Sequence, residues 1–244
     1  MPIMPTQRTT LTATATLMLL AAGTAMAQST IKVPADAPTI QAAIDRAADG
    51  DTILIAAGRY GEQLTIGDAV LTIRGEDGAA QTTIDGSATP GFVVTIDGGE
   101  LTLEGLTITG GRNDRDLRVD GGAVRAEDAS VALVDVQLTG NSGVEAAGVS
   151  ALRSTVRSSG STFSGGIMGD GPGDSGRALF VLGGEVILDG DRFEGFTGTG
   201  LGGAIYIAHA DVDIRNIEAV DNGVVEFFPG YEVYQTLGGG AIYT

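Results

Sequence analysis

Past position 50 the apolar residues fall into short runs that alternate with polar ones: Leu101-Thr-Leu103, Val131-Ala-Leu133, Val186-Ile-Leu188 and Val212-Asp-Ile214. A period of two turns one side of each run toward a core and the other toward solvent, which predicts strands. Aligned on their first inward residue, the runs begin at Leu71, Leu101, Val131, Val156, Val186 and Val212, at intervals of 30, 30, 25, 30 and 26 residues. Seven residues after the last five of these stand Ile108, Leu138, Phe163, Phe193 and Ala219. A unit that recurs six times at this period is a solenoid, because one coil cannot bury its own apolar side.

A second register repeats in step: Gly121-Gly-Ala-Val124, Ala147-Gly-Val149, Gly176-Arg-Ala-Leu179, Gly202-Gly-Ala-Ile205 and Gly239-Gly-Ala-Ile242. Its glycines are expected at tight corners with positive φ. Extra residues fall in Gly165 to Ser175 and Gly223 to Leu237, which are expected as surface loops. An antiparallel sandwich would join neighbouring runs by two-residue turns, and a leucine-rich repeat would carry its leucine and asparagine signature; neither pattern is present. The predicted fold class is all-β, a right-handed parallel β-helix with a short N-terminal capping helix.

That helix is read from Thr39 to Ala47, where Ile40, Ala43, Ile44 and Ala47 share one face and Gly50 follows. It lies between an extended lead-in, Ile31 to Pro38, and a first strand over Asp51 to Ile55, where it covers the open end of the solenoid. Before it, Arg8, the apolar stretch Leu11 to Ala22 and Ala25-Met-Ala27 read as a signal peptide, residues 1–27. Five threonines between Thr9 and Thr16 argue against a membrane anchor. The expected division is 1–27 signal peptide, 28–50 lead-in and cap, and 51–244 β-helix. The expected location is outside the cell, on its surface or in the periplasm, with no transmembrane segment in the mature chain. Gly238 to Thr244 repeat the opening of a coil and stop, which predicts an incomplete helix able to self-associate through its open C-terminal coil.

Charge narrows the partners. Thirty-one acidic residues oppose 14 basic ones, for a net charge of -17, which excludes nucleic acid and disfavours anionic membranes. An anionic polysaccharide would be repelled unless divalent cations bridged the surfaces, so Ca²⁺ is the one cofactor to consider. With no cysteine, stability rests on core burial and backbone ladders alone.

The segment Val33-Pro-Ala-Asp-Ala-Pro-Thr-Ile-Gln-Ala-Ala-Ile44, followed by Asp49-Gly-Asp-Thr-Ile-Leu-Ile55 and Gly58-Arg-Tyr60, resembles the opening of pectin-lyase-like right-handed parallel β-helix proteins. The Gly-Gly-Ala-Ile repeats are similar to those of polymorphic outer-membrane proteins, a family implicated in adhesion. The resemblance covers essentially the whole chain after the leader. It implies the fold and leaves the activity open among lyases, hydrolases, esterases and adhesins. The adhesin family's Phe-x-x-Asn motif is not kept after Phe163 or Phe193. The Asn-x-Asp, Asp-Asp and Gly-His-Gly motifs of polygalacturonase-like members do not occur, and the single histidine, His209, sits in Ile207-Ala-His-Ala210.

Two outward columns carry the candidate chemistry. Three residues after each anchor come Arg74, Glu104, Val134, Ser159, Asp189 and Arg215, stacked about 4.8 Å apart on successive coils. Pectate-lyase-like chemistry needs carboxylates to hold Ca²⁺ against a uronate and a base for the proton α to its carboxylate. Asp189, Arg215 and Asp213 are the catalytic candidates, with Asp191 and Asp211 nearby; the alternative is a solvated charge pair. Gly169 to Asp174 lacks EF-hand or nonapeptide spacing and reads as a plain loop, so no metal ligands are assigned. In the other column Arg125, Ser150, Phe180, Tyr206 and Tyr243 point outward. Phe180, Tyr206 and Tyr243 are the ligand-binding candidates, suited to stacking on sugar rings or a partner's apolar residues; the alternative is a structural ladder under residues 223–237. The expected function is an exported, non-catalytic β-helix that presents a face to glycan or a cell-surface partner in the manner of an adhesin. The alternative is a polysaccharide lyase or glycoside hydrolase acting on acidic polysaccharide.

Overall fold

The computed structural model describes residues 28–114, 120–166, 177–196 and 204–222, together with the strand backbones Val225–Phe227 and Ile242–Tyr243. The expected signal peptide, residues 1–27, and the Gly169 to Asp174 loop lie outside these. The chain winds into a parallel β-helix of about six coils. Every anchor pairs with the next in register: Leu71 with Leu101, Leu101 with Val131, then Val156, Val186 and Val212. The companion series Ile108, Leu138, Phe163, Phe193 and Ala219 pairs just as regularly in a separate seven-stranded sheet.

Each coil therefore has three faces. The first holds Phe92–Asp97, Gly122–Glu127 and the leading halves of Val149–Ser159, Leu179–Asp189 and Ile205–Arg215. The second holds Val70–Gly75, Glu100–Glu104, Ser130–Val134 and the trailing halves of those three long strands. The third runs through Thr82–Asp85, Thr107–Thr109, Gln137–Thr139, Thr162–Ser164, Arg192–Glu194 and Glu218–Val220.

Left-handed residues make the corners. Gly98, Asp128, Arg153, Gly183 and His209 separate the first face from the second; Gly105, Asp135, Gly160, Gly190 and Asn216 separate the second from the third; Gly110, Gly140, Gly165, Gly195 and Asp221 close the third. All fifteen have φ between 49° and 79°, a region glycine enters freely and Asn, Asp and His enter more readily than other residues. Of the described glycines in the Gly-Gly-Ala-Ile register, Gly122 has the expected positive φ, at 148°, whereas Gly121 and Gly148 do not. A Cβ on Gly148 would collide with the Ala178 carbonyl oxygen of the next coil, so this glycine permits close approach of backbones.

Inward residues fill the helix with apolar side chains. Leu101, Leu103, Val131, Leu133, Val156, Val186 and Leu188 are at most 1% exposed, each contributing about 1.5–3 kcal/mol by burial. Phe163 and Phe193 stack inside at 4.6 Å between centroids. At the N-terminal end the helix Ile40–Ile44 is shorter than the sequence suggested, and buries Ile40 and Ala43. Thr39 caps it through the Ala42 amide, while the two carboxylate oxygens of Glu62 accept from the Ile40 and Gln41 amides. Residues 223–237, expected as a loop, contain the strand Val225–Phe227, which pairs with Ile205–Arg215 on one side and Ile242–Tyr243 on the other.

Candidate functional site

The outward column of the first face runs Thr95, Arg125, Ser150, Phe180, Tyr206. Its inward neighbours Val124, Val149, Leu179 and Ile205 are at most 1% exposed, so strand alternation turns this column outward, where Thr95, Arg125, Phe180 and Tyr206 are partly exposed and Ser150 is covered. Phe180 and Tyr206 are brought together: their rings stack at 5.1 Å and 11° between planes. Tyr243 is not adjacent to them. Glu226 takes the place beside Tyr206, and Tyr243 pairs with Glu226 one strand further on.

The spacing of 5.1 Å is close to the distance between coils, as expected for rings on paired residues of neighbouring strands. The Arg177 guanidinium carbon lies 5.9 Å from the Phe180 centroid and 5.0 Å from that of Tyr206, within the reach of a cation–π attraction to either ring. On the same side of the sheet Leu182 is 41% exposed and pairs with the half-buried Leu152, extending the aromatic pair into an apolar patch. Its rim is polar: Ser150 donates to Glu145 at 2.6 Å, Arg125 pairs with Glu127 at 2.8 Å, and Arg153 bridges Glu127 and Asp128 at 2.9 and 2.7 Å. The sequence singled out the aromatics but missed Arg177 and the leucines. Alternation from Phe180 to Leu182 and from Ser150 to Leu152 was the available signal.

The second outward column has the expected register, with Asp189 opposite Arg215. Its chemistry is local. Both carboxylate oxygens of Asp213 hold the Arg215 guanidinium, and Asp189 accepts from the Asn216 side-chain amide at 2.8 Å. The Asp213 hydrogen bonds, and the charges of Asp213 and Asp189, raise the pKa of Arg215 further, whereas proton abstraction requires a guanidinium driven toward neutrality. Asp211 faces Glu185, a like-charged pair, and Glu185 binds Arg157 at 2.6 Å. At the other end of the column Arg74, Glu76, Glu104 and Asp135 line an open cleft of ≈ 350 Å³. Among the described residues no group of three or more His, Cys, Asp or Glu is placed to hold a metal ion. His209 is exposed at its corner.

Asp191, expected near the outward pair of Asp189 and Arg215, does not share their exposure. It points inward and is 1% exposed. Its Oδ1 accepts from the Ser161 amide at 2.8 Å and the Ser158 hydroxyl at 2.9 Å, while Oδ2 has no hydrogen-bond partner. Burial pushes the carboxyl up to about 6, against the Ser161 amide and Ser158 hydroxyl that favour the anion.

No protein-family model matches the chain, and no curated protein does; the likeness of its repeats to polymorphic outer-membrane proteins stands on the residues alone. Solved structures resemble it in fold. Pectin methylesterase PemA from Erwinia chrysanthemi is 17% identical over 83% of this chain and 56% of its own, with a TM-score of 0.40. The pectin methylesterase from Aspergillus niger is 12% identical over 80% and 86% of the two chains, TM-score 0.36. A PL6 family alginate lyase, AlyGC, is 15% identical over 88% of this chain and 40% of its own, TM-score 0.37. The chain thus spans little more than half the length of PemA, and what the three share with it is the parallel β-helix. Among the described residues no helix is long and apolar enough to cross a membrane.

Proposed function

We propose that this chain is an exported β-helix that binds an extended glycan or glycan-bearing cell surface through the outward side of its first face, without catalysing a reaction on it. The observation that supports this reading is the patch of Phe180, Tyr206, Leu152 and Leu182, held half-open to solvent by a rigid sheet and rimmed by Arg125, Arg153 and Arg177. Because the two rings stack on each other, neither sugar nor peptide is held between them; the patch spans neighbouring coils, which suits a chain laid across several coils. At the rim Arg125 and Arg153 offset Glu127 and Asp128, so the patch repels acidic sugars less than an acidic surface without them would.

The test is retention on plant, algal and bacterial polysaccharides in affinity electrophoresis, with release of reducing ends and unsaturated uronates followed in parallel. Phe180→Ala and Tyr206→Ala should each weaken retention about tenfold, and Arg215→Ala should leave it unchanged. Turnover of any polysaccharide abolished by Asp189→Asn or Arg215→Ala would replace the binding reading with an enzymatic one. Retention indifferent to both aromatic substitutions would remove the patch from consideration.

A further inference from the structure

The column of positions at the corner between the second and third faces reads Thr82, Leu106, Val136, Ser161, Asp191, Ile217. The inward column just before that corner reads Ile73, Leu103, Leu133, Ser158, Leu188, Ile214. The second is apolar except at Ser158; the first is apolar at Leu106, Val136 and Ile217 but polar at Thr82, Ser161 and Asp191, and polar residues of the two columns meet where the fourth coil joins the fifth. There Val136 donates its amide to Ser161 Oγ at 3.1 Å, and Ser161 donates its own to Asp191 at 2.8 Å. A carboxylate thus stands in the core of a solenoid, tied to the coil before it through one oxygen only.

Little else charged acts on it. The fourth coil presents Ser158 and Ser161, and the sixth presents Ile214 and Ile217. Asp189, on its own coil, is the one charge that bears on it, and it opposes ionisation. Arg192 is outside, engaged by Glu194 at 3.1 Å and Glu218 at 2.5 Å, and Arg215 is held by Asp213. Among the described residues no cation neutralises the anion; besides Ser158 and Ser161 only the Asp189 backbone favours it, and Oδ2 is buried without a hydrogen-bond partner.

We propose that Asp191 is a proton-operated latch on the seam between the fourth and fifth coils: neutral, it lets the seam close; ionised, it makes the fifth and sixth coils open more readily. The latch stands whatever the outer face binds, although the coils it governs carry Phe180 and Tyr206. The folded carboxyl holds its proton up to about 6, against an ordinary value of 3.8. Stability from the neutral form is therefore complete below the ordinary value, falls away as pH rises through 4 to 6, and levels off above. Between pH 5 and pH 8 this linkage raises the opening constant about tenfold.

Hydrogen exchange of the full chain, corrected for intrinsic rates, reads this directly. At pH 8 the strands Leu179–Asp189 and Ile205–Arg215 should open about tenfold more than at pH 5, while Val70–Gly75 and Glu100–Glu104 change little. Asp191→Asn should erase the difference. An equal pH response in the variant, or none in the parent, would overturn the latch. Should the variant fold poorly, carbon-detected NMR of the aspartate carboxyls in the parent decides: one that titrates near 6 together with the exchange response supports it, and none above 5 overturns it.

Discussion

The buried aromatic pair offers the sharpest measure of how the solenoid is held together. Phe163 and Phe193 are both 0% exposed, on paired strands of the third face, with centroids 4.6 Å apart and planes 16° from parallel. Phe193→Ala removes a ring whose place the rigid coils cannot refill, for a cost of about 3–5 kcal/mol. In a chain of this size each kcal/mol lowers Tm by about 2–4 °C, so the melting point should fall by roughly 6–20 °C. The stack itself is isolated by a gentler cycle. Phe163→Leu and Phe193→Leu keep most of the apolar volume, at less than about 1.5 kcal/mol each. The double variant should then lose about 0.5–1.5 kcal/mol less than the sum of the singles, which is the interaction between the rings. Urea unfolding followed by two probes gives these values if the transitions coincide and the slopes match the parent. Additivity within about 0.3 kcal/mol, or an alanine cost below about 1.5 kcal/mol, would show that the rings merely fill space in a yielding interior.

Other expectations follow from the corners and close contacts. Gly148→Ala drives a methyl into the Ala178 carbonyl and should lower Tm far more than Gly61→Ala, which meets nothing within 4 Å and has no positive φ; equal shifts by scanning fluorimetry would discount the backbone contact. His209 holds φ 56°, so His209→Gly should relieve about 1–2 kcal/mol of strain against an entropy cost of about 0.4–1 kcal/mol, for a Tm unchanged or a few degrees higher. A clear fall would reveal a bond to the imidazole. The Arg153 hydrogen bonds hold Glu127 and Asp128 below the usual carboxylate range. Their contribution is present above the ordinary carboxylate value and lost as pH falls through the lowered ones. Arg153→Ala should therefore flatten the acid side of the stability profile, measured as Tm between pH 2 and pH 6; an unaltered slope would show these exposed pairs to be silent.

The coil register was legible because two independent periodicities, one inward apolar and one glycine-centred, had to agree across thirty-residue spans. Neither depended on a single residue. The corners were less so, since the sequence marks a left-handed position by Gly, Asp or Asn without distinguishing it from a glycine excluded by a neighbouring backbone, as at Gly148. The burial of Asp191 was not legible for a related reason: an aspartate between Gly190 and Arg192 looks like any turn residue. Only the column through Leu106, Val136 and Ile217 shows that its position faces inward. Phe-x-x-Asn is not kept, yet its asparagine position recurs behind other residues. Asn141 and Asn222 follow Leu138 and Ala219 at that spacing, and each accepts from a backbone amide of the preceding coil, Gly111 and Phe196, at 2.9 and 3.0 Å. The stacking of Phe180 on Tyr206 was predictable from register, whereas the position of Arg177 depends on a return segment with no fixed length.

The three left-handed corners carry a consequence for how such a chain diversifies. From first corner to third five coils take the same path, 98 to 110, 128 to 140, 153 to 165, 183 to 195 and 209 to 221, whereas the way back to the next first corner takes 18, 13, 18 or 14 residues. The coil of Leu71 instead lengthens its second corner, between Arg74 and Thr83, and still pairs in register with Leu101 and Ile108, so residues added at a corner shift no register in the neighbouring coils. A peptide grafted between Gly140 and Ala147, or into the corner from Gly75 to Gln81, would lengthen a connection whose length already varies and would stand out like a tooth on a comb while the ladders on either side keep their register.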